Sequence, residues 1–453
     1  MRQNNQAATS ESPAMSFFSS RHLYPAHLST IKTRVDTALS RHGFDHLLVA
    51  SGIEKMRFLD DTPYPFKVNP QFKQWLPLTR HPHCWIAYTP GRKPVLAYYQ
   101  PDDYWHVPPS PPEGEWVEHF DIRVLADPVE AVLHLPTNGR SAIIGEADAA
   151  LPGFAPNNPK AVLDYLHFHR AFKTPYELAL MRLAQRKGAR GHVAARHAFL
   201  GRESEAGINA AFLAAAGHTD SDVPYNNIVA LNQNGATLHY QYKQFEAPSE
   251  HRSLLIDAGA EVDGYASDIT RTWANGDQAF AELVSAVDNE QQQLAGKVRA
   301  DLDYRDLHLE THLRLGGVLK ALDIVDMDPG NMLETGVTST FFPHGLGHPI
   351  GLQVHDVAGF SDVDGKLIPR PEGHPFLRMT RTLAPGMVVT IEPGIYFIPT
   401  LLEKLKATAQ AKSVNWKKVE HLTRFGGVRI EDEVHCTDAA PENLTRDAFA
   451  ELG

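Results

Sequence analysis

The chain has 453 residues, 43% hydrophobic and 21% charged, an ordinary globular balance long enough for two or three domains. Its formal net charge of -11 argues against a general nucleic-acid or anionic-membrane binder. Cys84 and Cys436 are the only cysteines, which excludes a disulfide framework and a Cys-based zinc site and points to a reducing, cytoplasmic home.

The first fourteen residues, MRQNNQAATSESPA, are polar and lack the apolar core of a signal peptide. Residues 1–15 are expected to be a disordered tail, with Met15 as an alternative start. No run approaches the ~20 apolar residues of a membrane helix. From His27 to Ser40 the spacing predicts an amphipathic helix with Ile31, Val35 and Leu39 on one face. His46 to Ala50 reads as a buried strand, and Ile86 to Tyr99 as strand, turn and strand around Pro90-Gly91. A Pro-rich loop from Val107 to Trp116 and a short strand from Ser141 to Glu146 follow. These elements make residues 16–172 a mixed α/β domain with no complete catalytic set of its own.

Thr174-Pro175-Tyr176-Glu177 is a capping box with Pro at the first helical position. It predicts a long helix to about Leu200 and a domain break near Lys173. Ser204 is expected to cap another helix reaching Ala216. Helices from Gln278 to Leu294 and from Tyr304 to Leu322, followed by strands and loops, give residues 173–453 an α+β layering: antiparallel sheet with helices packed on it.

The chemistry gathers in this larger part. In LLIDAGAEVDGYASDITRT, Leu254 to Thr272, Asp263-Gly264 is a two-residue hairpin signal. It places Asp257 opposite Thr270 and makes Asp268 a diagonal neighbour of Asp257. Two such carboxylates repel unless a proton or cation sits between them; the bland alternative is a solvated hairpin face. His344-Gly345-Leu346-Gly347-His348 sets two imidazoles four residues apart on a loop whose glycines permit close approach, and His355 follows. Glu392 closes the apolar strand MVVTIE just before Pro393-Gly394, where a salt-bridged strand end is the rival reading. In GGVRIEDEV, Val428 and Ile430 alternate with Arg429, Glu431 and Glu433, which alone reads as the solvent face of an edge strand. Together Asp257, Asp268, Glu392 and Glu431 supply four carboxylates and His348 one imidazole. That charge matches two divalent cations, ~3.5–4 Å apart where carboxylates bridge them. Oxygen-rich ligation suits Mn²⁺, with Zn²⁺, Co²⁺ and Fe²⁺ as alternatives.

The ordered set IDAGAEVDGYASDITRT, FFPHGLGHPIGLQVHD, TIEPGIYF and GGVRIEDEV resembles the proline-specific "pita-bread" (creatinase/aminopeptidase-like) metallopeptidases. More narrowly it is similar to bacterial Xaa-Pro dipeptidases, the prolidases, and their organophosphorus acid anhydrolase relatives. FLDDTPYPFKVNPQFKQWLP and HPHCWIAY extend the likeness into the N-terminal half. The resemblance implies that Asp257 binds one metal, that Asp268 and Glu431 bridge both, and that His348 and Glu392 bind the second. It makes Glu392 the general base toward a metal-activated water, and sets His344 and His355 against the scissile carbonyl or the substrate. It gives Arg429 the substrate's C-terminal carboxylate; the alternative is that Arg429 only neutralises the carboxylate cluster. Tyr225, Leu238, His239, Tyr304 and Leu377 match pocket-wall positions, and Asp61 and Trp105 match positions that approach the partner subunit's site in family dimers.

The function implied is hydrolysis of Xaa-Pro dipeptides by a cytoplasmic homodimer with two divalent metals per subunit, with phosphotriester hydrolysis as a side activity. The nearest rival is an aminopeptidase P acting on longer Xaa-Pro peptides. A rival of another class is a catalytically inactive pita-bread module that binds peptides or proteins, which normally lacks ligands that are all present here.

Overall fold

The computed structural model describes residues 20–452. The tail expected over residues 1–15 lies outside the described residues. No helix among the described residues is long and apolar enough to cross a membrane. The chain forms two compact units: the described residues through Asn158 with Thr174–Leu183, and Pro159–Lys173 with the described residues from Ala184 onward.

In the N-terminal unit, helix α1 (Tyr24–His42) buries Ile31, Val35 and Leu39, as their spacing requires. It stops at Gly43, whose φ of 67° is left-handed and lets its N–H donate to the Leu39 carbonyl. Strands β1 (His46–Ala50), β2 (Trp85–Tyr88), β3 (Val95–Tyr99), β4 (Asp121–Leu125) and β5 (Ser141–Ile144) form one sheet in the order β4-β3-β2-β1-β5. The β1–β2 and β2–β3 pairs are antiparallel, and β3–β4 and β1–β5 are parallel. β1 is buried along its length, which is why Leu47–Ala50 reads as a short apolar run.

Helix α2 (Lys160–Arg170) precedes α3 (Pro175–Leu200). The expected capping box is formed at the start of α3. The Thr174 N–H donates to Glu177 Oε2 at 2.8 Å, and the Glu177 N–H donates to Thr174 Oγ1 at 3.3 Å. Ser204 caps α4 (Glu205–Ala216) by accepting from the Gly207 N–H.

The C-terminal unit pairs its strands antiparallel throughout the described residues. β6 (Ile228–Leu231), β7 (Ser253–Asp257) and β10 (Thr270–Ala274) form a sheet in the order β10-β7-β6, with the short pair β8 (Glu261–Val262) and β9 (Tyr265–Ala266) at the hairpin tip. The tip turns at Asp263 and Gly264, whose φ values of 49° and 89° are both positive, as a type I′ turn demands. The register that follows sets Asp257 opposite Thr270. Helices α5 (Gln278–Ala295) and α6 (Tyr304–Ala321) bury Phe280, Leu283, Val287, Leu315 and Leu319 in one cluster with Ile395, Val428 and Ile430. The strands that carry the later acids therefore rest on a dry helical floor.

β11 (Val388–Ile391) pairs with β14 (Asp432–His435), and β12 (Gly394–Tyr396) with β13 (Gly427–Arg429); β15 (Glu442–Asn443) joins β14. The solvent-face reading of GGVRIEDEV is overturned. Arg429, Glu431 and Glu433 are all buried. The strand breaks at Ile430–Glu431, because the Glu431 N–H donates at 3.0 Å to the Thr270 carbonyl. That bridge brings the strand end against β10, and with it Glu431 to the hairpin acids.

A buried ion pair fixes the segment that carries His355. Arg170 Nε donates to Asp356 Oδ1 at 2.9 Å, and both side chains are almost fully buried. Burial works against the Asp356 charge, but Arg170 and Lys173 outweigh it and hold the carboxyl below its ordinary value. A depressed carboxylate adds stability above its unfolded pKa, about 3.9, and loses it as pH falls through the folded value. Asp356→Asn is therefore expected to lower stability at neutral pH by ~3–5 kcal/mol, the cost of a buried charge left unpaired. Denaturant unfolding should show the deficit shrinking below pH ~4; a pH-independent difference would remove the ion pair from this role.

Candidate metal centre

Four separated pieces of chain meet at the acids. β7 ends in Asp257, and Asp268 precedes β10 across the hairpin. The loop from His344 to His348 zips onto β11: the His348 N–H donates to Thr390 Oγ1 at 3.0 Å, Thr390 N–H to the His348 carbonyl at 2.9 Å, and Glu392 N–H to the Leu346 carbonyl at 2.8 Å. Gly347 permits this, because a Cβ there would stand 2.1 Å from the Thr390 carbonyl oxygen. The close approach expected of these glycines is made to the protein itself. Glu392 follows β11, and Glu431 arrives at the break after β13.

His348 is held by its Nδ1, 3.1 Å from the Pro349 carbonyl, which assigns the proton to Nδ1 and leaves Nε2 as a ligand. That Nε2 stands 3.5 Å from Asp268 Oδ2 and 3.8 Å from Glu392 Oε1. Asp268, His348 and Glu431 each offer one ligand atom, all within 4.8 Å of one another. Burial raises the carboxyl of Glu431 well above its ordinary value, and repulsion from Asp268, Glu392 and Asp257 adds to it. Asp257 and Glu392 are raised by burial in the same way. Burial pulls His348 down, but Asp268 and Glu392 more than reverse this and raise it. Asp257 Oδ1 is buried with no hydrogen-bond partner. Clustered, repelling carboxylates with an orphaned oxygen are what a pair of divalent ions relieves, so the residues present fit such a pair.

Arg429 is the buried cation of the cluster. Its Nη2 donates to Asp257 Oδ2 at 2.7 Å, Nε to Thr270 Oγ1 at 3.1 Å and Nη1 to Tyr396 Oη at 2.9 Å. These bonds tie Arg429 to the acids, and its side chain also lines the cavity above them. Thr270 in turn donates to Glu431 Oε2 at 2.6 Å, and Tyr225 Oη donates to Asp268 Oδ1 at 2.6 Å. Glu433 lies behind the centre and accepts from the Asp268 N–H at 2.7 Å. Sequence reading missed Thr270 and Tyr396 as supporting residues, although the hairpin register had already set Thr270 opposite Asp257.

The acids floor a cavity of about 630 Å³. Leu238, His239, His344, His355 and Arg429 line it, together with Arg370 and Arg378, which sequence reading missed. His344 is engaged at both nitrogens, Nδ1 at 2.8 Å from the Gly345 carbonyl and Nε2 at 2.9 Å from Tyr396 Oη. Burial, then the Arg429 charge, push it down to about 3, so it is neutral. His355 stacks edge-on to His348 with ring centroids 4.5 Å apart and makes no hydrogen bond among the described residues. Tyr225, Tyr304 and Leu377, expected on the wall, are not in the lining. Tyr304 and Leu377 are fully buried beneath the His344–His348 loop, Tyr304 donating to the Thr390 carbonyl at 2.7 Å. They shape the wall from behind, because a Cβ on Gly345 would meet Leu377 and one on Gly347 would meet Tyr304. Asp61 and Trp105 belong to the N-terminal unit, both on its surface, with Trp105 77% exposed.

Residues 179–438 match the model of metallopeptidase family M24. The chain belongs to that family. Residues 22–168 match the N-terminal domain model of Xaa-Pro dipeptidases. An Xaa-Pro dipeptidase of Xanthomonas campestris pv. campestris (strain B100) is 55% identical over 431 residues, 94% of this chain and 98% of the relative. One of Stenotrophomonas maltophilia (strain K279a) is 53% identical over 94% of this chain and 97% of the relative. Among solved structures, aminopeptidase P from E. coli with the inhibitor Pro-Leu aligns at TM-score 0.71 and 23% identity, over 95% of this chain and 98% of that one. That likeness shows the fold, an N-terminal domain followed by the pita-bread domain. This M24 metallopeptidase is thus a metal-dependent peptidase, with the carboxylate cluster at the floor of its cavity.

Proposed function

We propose that this M24 metallopeptidase is an Xaa-Pro dipeptidase that hydrolyses the bond before a C-terminal proline. The observation that carries the reading is the convergence of Asp257, Asp268, His348, Glu392 and Glu431 on one cavity, in a chain whose dipeptidase relatives match it nearly end to end. Those five residues would hold two divalent ions, Mn²⁺ by their oxygen-rich character, and the ions would supply the charge that polarises the scissile carbonyl and activates water. Glu392 takes the proton of the attacking water and delivers it to the leaving proline nitrogen. His355, with no hydrogen-bond partner of its own, donates to the carbonyl oxygen as negative charge develops there. His344 acts through Tyr396 and Arg429, which keep Asp257 aimed at its metal.

A cation near the far end of the substrate selects dipeptides, because a longer peptide carries a neutral amide there. Arg378 lines the cavity and makes no hydrogen bond or ion pair among the described residues, so we assign it the substrate's carboxylate. Arg378→Met is expected to lower kcat/KM for Ala-Pro ten- to a hundredfold, for a charge-assisted contact of about 1.5–3 kcal/mol. The loss on Ala-Pro amide should be much smaller. Arg429→Lys should reduce acid and amide alike; the reverse pattern would return the carboxylate to Arg429. Preference of the parent enzyme for Ala-Pro-Ala over Ala-Pro would make it an aminopeptidase P instead.

The proposal extends to a cytoplasmic homodimer in which the N-terminal domain caps the partner's site through Asp61 and Trp105. In support, Phe58 and Leu59 near Asp61, and Tyr104 beside Trp105, are 90%, 91% and 86% exposed large side chains that a subunit contact would cover.

A further inference from the structure

We propose that His308, His312 and His374 form a third metal site, separate from the carboxylate centre, that takes a nitrogen-preferring divalent ion of the zinc type. α6 presents His308 and His312 one turn apart on its buried face, each 1% exposed. His374, on the segment after Arg370, closes the set. Ring centroids are 4.8 Å apart for His308–His312, 4.7 Å for His308–His374 and 4.6 Å for His312–His374. Each residue offers a ring nitrogen within 4.8 Å of the other two.

The trio leaves a polar atom unanswered. His312 Nε2 is buried with no hydrogen-bond partner. An unsatisfied buried polar atom is costly, and packing three imidazoles together does not recover that cost. His312 Nδ1 lies 2.9 Å from the hydroxyl of buried Thr338. Donation to that hydroxyl fixes the tautomer with Nε2 as the ligand, the outer-shell arrangement typical of metal-bound imidazoles. His308 Nε2 and His374 Nδ1 share a hydrogen bond of 2.9 Å, whose proton the ion would displace. Two nitrogens on one tetrahedral zinc, each ~2.0–2.1 Å from it, stand about 3.3 Å apart, so a small opening admits the ion. His374 is only partly buried, which gives an entry path and leaves a fourth position for water.

The donor set separates this site from the first. Three imidazoles without a carboxylate suit Zn²⁺, Cu²⁺, Ni²⁺ or Co²⁺, whereas Mn²⁺ prefers oxygen. His374 is followed by Pro375, Phe376 and Arg378, all in the cavity lining. An ion here pins that wall to α6, so its removal should raise KM for Ala-Pro more than it lowers kcat.

Elemental analysis after complete stripping, reconstitution and dialysis tests the site. With Zn²⁺ the parent should keep one ion per chain more than His374→Ala and His312→Asn, and with Mn²⁺ parent and variants should agree. That difference is read whatever the carboxylate centre holds, so it stands or falls apart from the dipeptidase reading. His374 lies in a partly buried loop, and its variant should keep the parent's circular dichroism even where His312→Asn does not fold. Equal zinc content in the parent and the folded His374→Ala variant would overturn the site.

Discussion

Glu392→Gln is expected to cut kcat on Ala-Pro at full metal loading by at least the ~10²–10⁴-fold typical of acid–base catalysis. The carboxylate is placed by backbone, since its own N–H is tied to the Leu346 carbonyl at 2.8 Å. Its two oxygens face His348 and His344, each 3.8 Å away. Burial raises its affinity for a proton, and the neighbouring Asp268 and Asp257 carboxylates add to that while His348 and Arg429 oppose it. A group so held can take a proton and give it up again. Glutamine fills the same space but has no basic oxygen of comparable strength. Because Gln also weakens metal ligation, the assay must be read at saturating Mn²⁺ with the metal content measured. An intact kcat in the loaded variant would take the base role from Glu392.

The second large effect separates loss of function from loss of fold. Glu431→Ala is expected to lower metal affinity by more than the ~10–100-fold that removal of a supporting partner costs, since it removes a ligand itself. Activity at limiting Mn²⁺ should fall with it. The metal-free protein should nonetheless be at least as stable as its parent. In that state Glu431 is repelled by Asp268, Glu392 and Asp257, and relief of like charge offsets the lost bond from Thr270. Thermal unfolding of the stripped proteins reads this directly. A variant with unchanged metal content and turnover would remove Glu431 from the centre, and one that unfolds when stripped would make its role structural.

The parts of this molecule legible in its sequence are those set by local chemistry. Asp263-Gly264 set the hairpin register, because two successive positive φ angles admit few residues. Thr174 and Glu177 marked the start of α3 for the same kind of reason, a reciprocal bond over three residues. Motif order and resemblance singled out Asp257, Asp268, His348, Glu392 and Glu431, and the fold brings all five to one cavity. Long-range pairing was not. The break at Ile430–Glu431 depends on a bridge to Thr270, 161 residues away, and nothing local in an alternating strand announces it. The partners of Arg429, Asp257 and Tyr396, lie in other motifs, so its bonds to them are not visible within GGVRIEDEV. The histidine trio was half visible, as an i, i+4 pair on an expected helix, but His374 meets it only in the fold.

The most direct test of the central claim is the Mn²⁺ content of the reconstituted, dialysed enzyme, measured alongside Ala-Pro hydrolysis before and after chelation. Two ions per chain are predicted, with activity lost on chelation and restored in step with their return. Hydrolysis that persists in metal-free protein, or full activity with no bound ion removed, would contradict it.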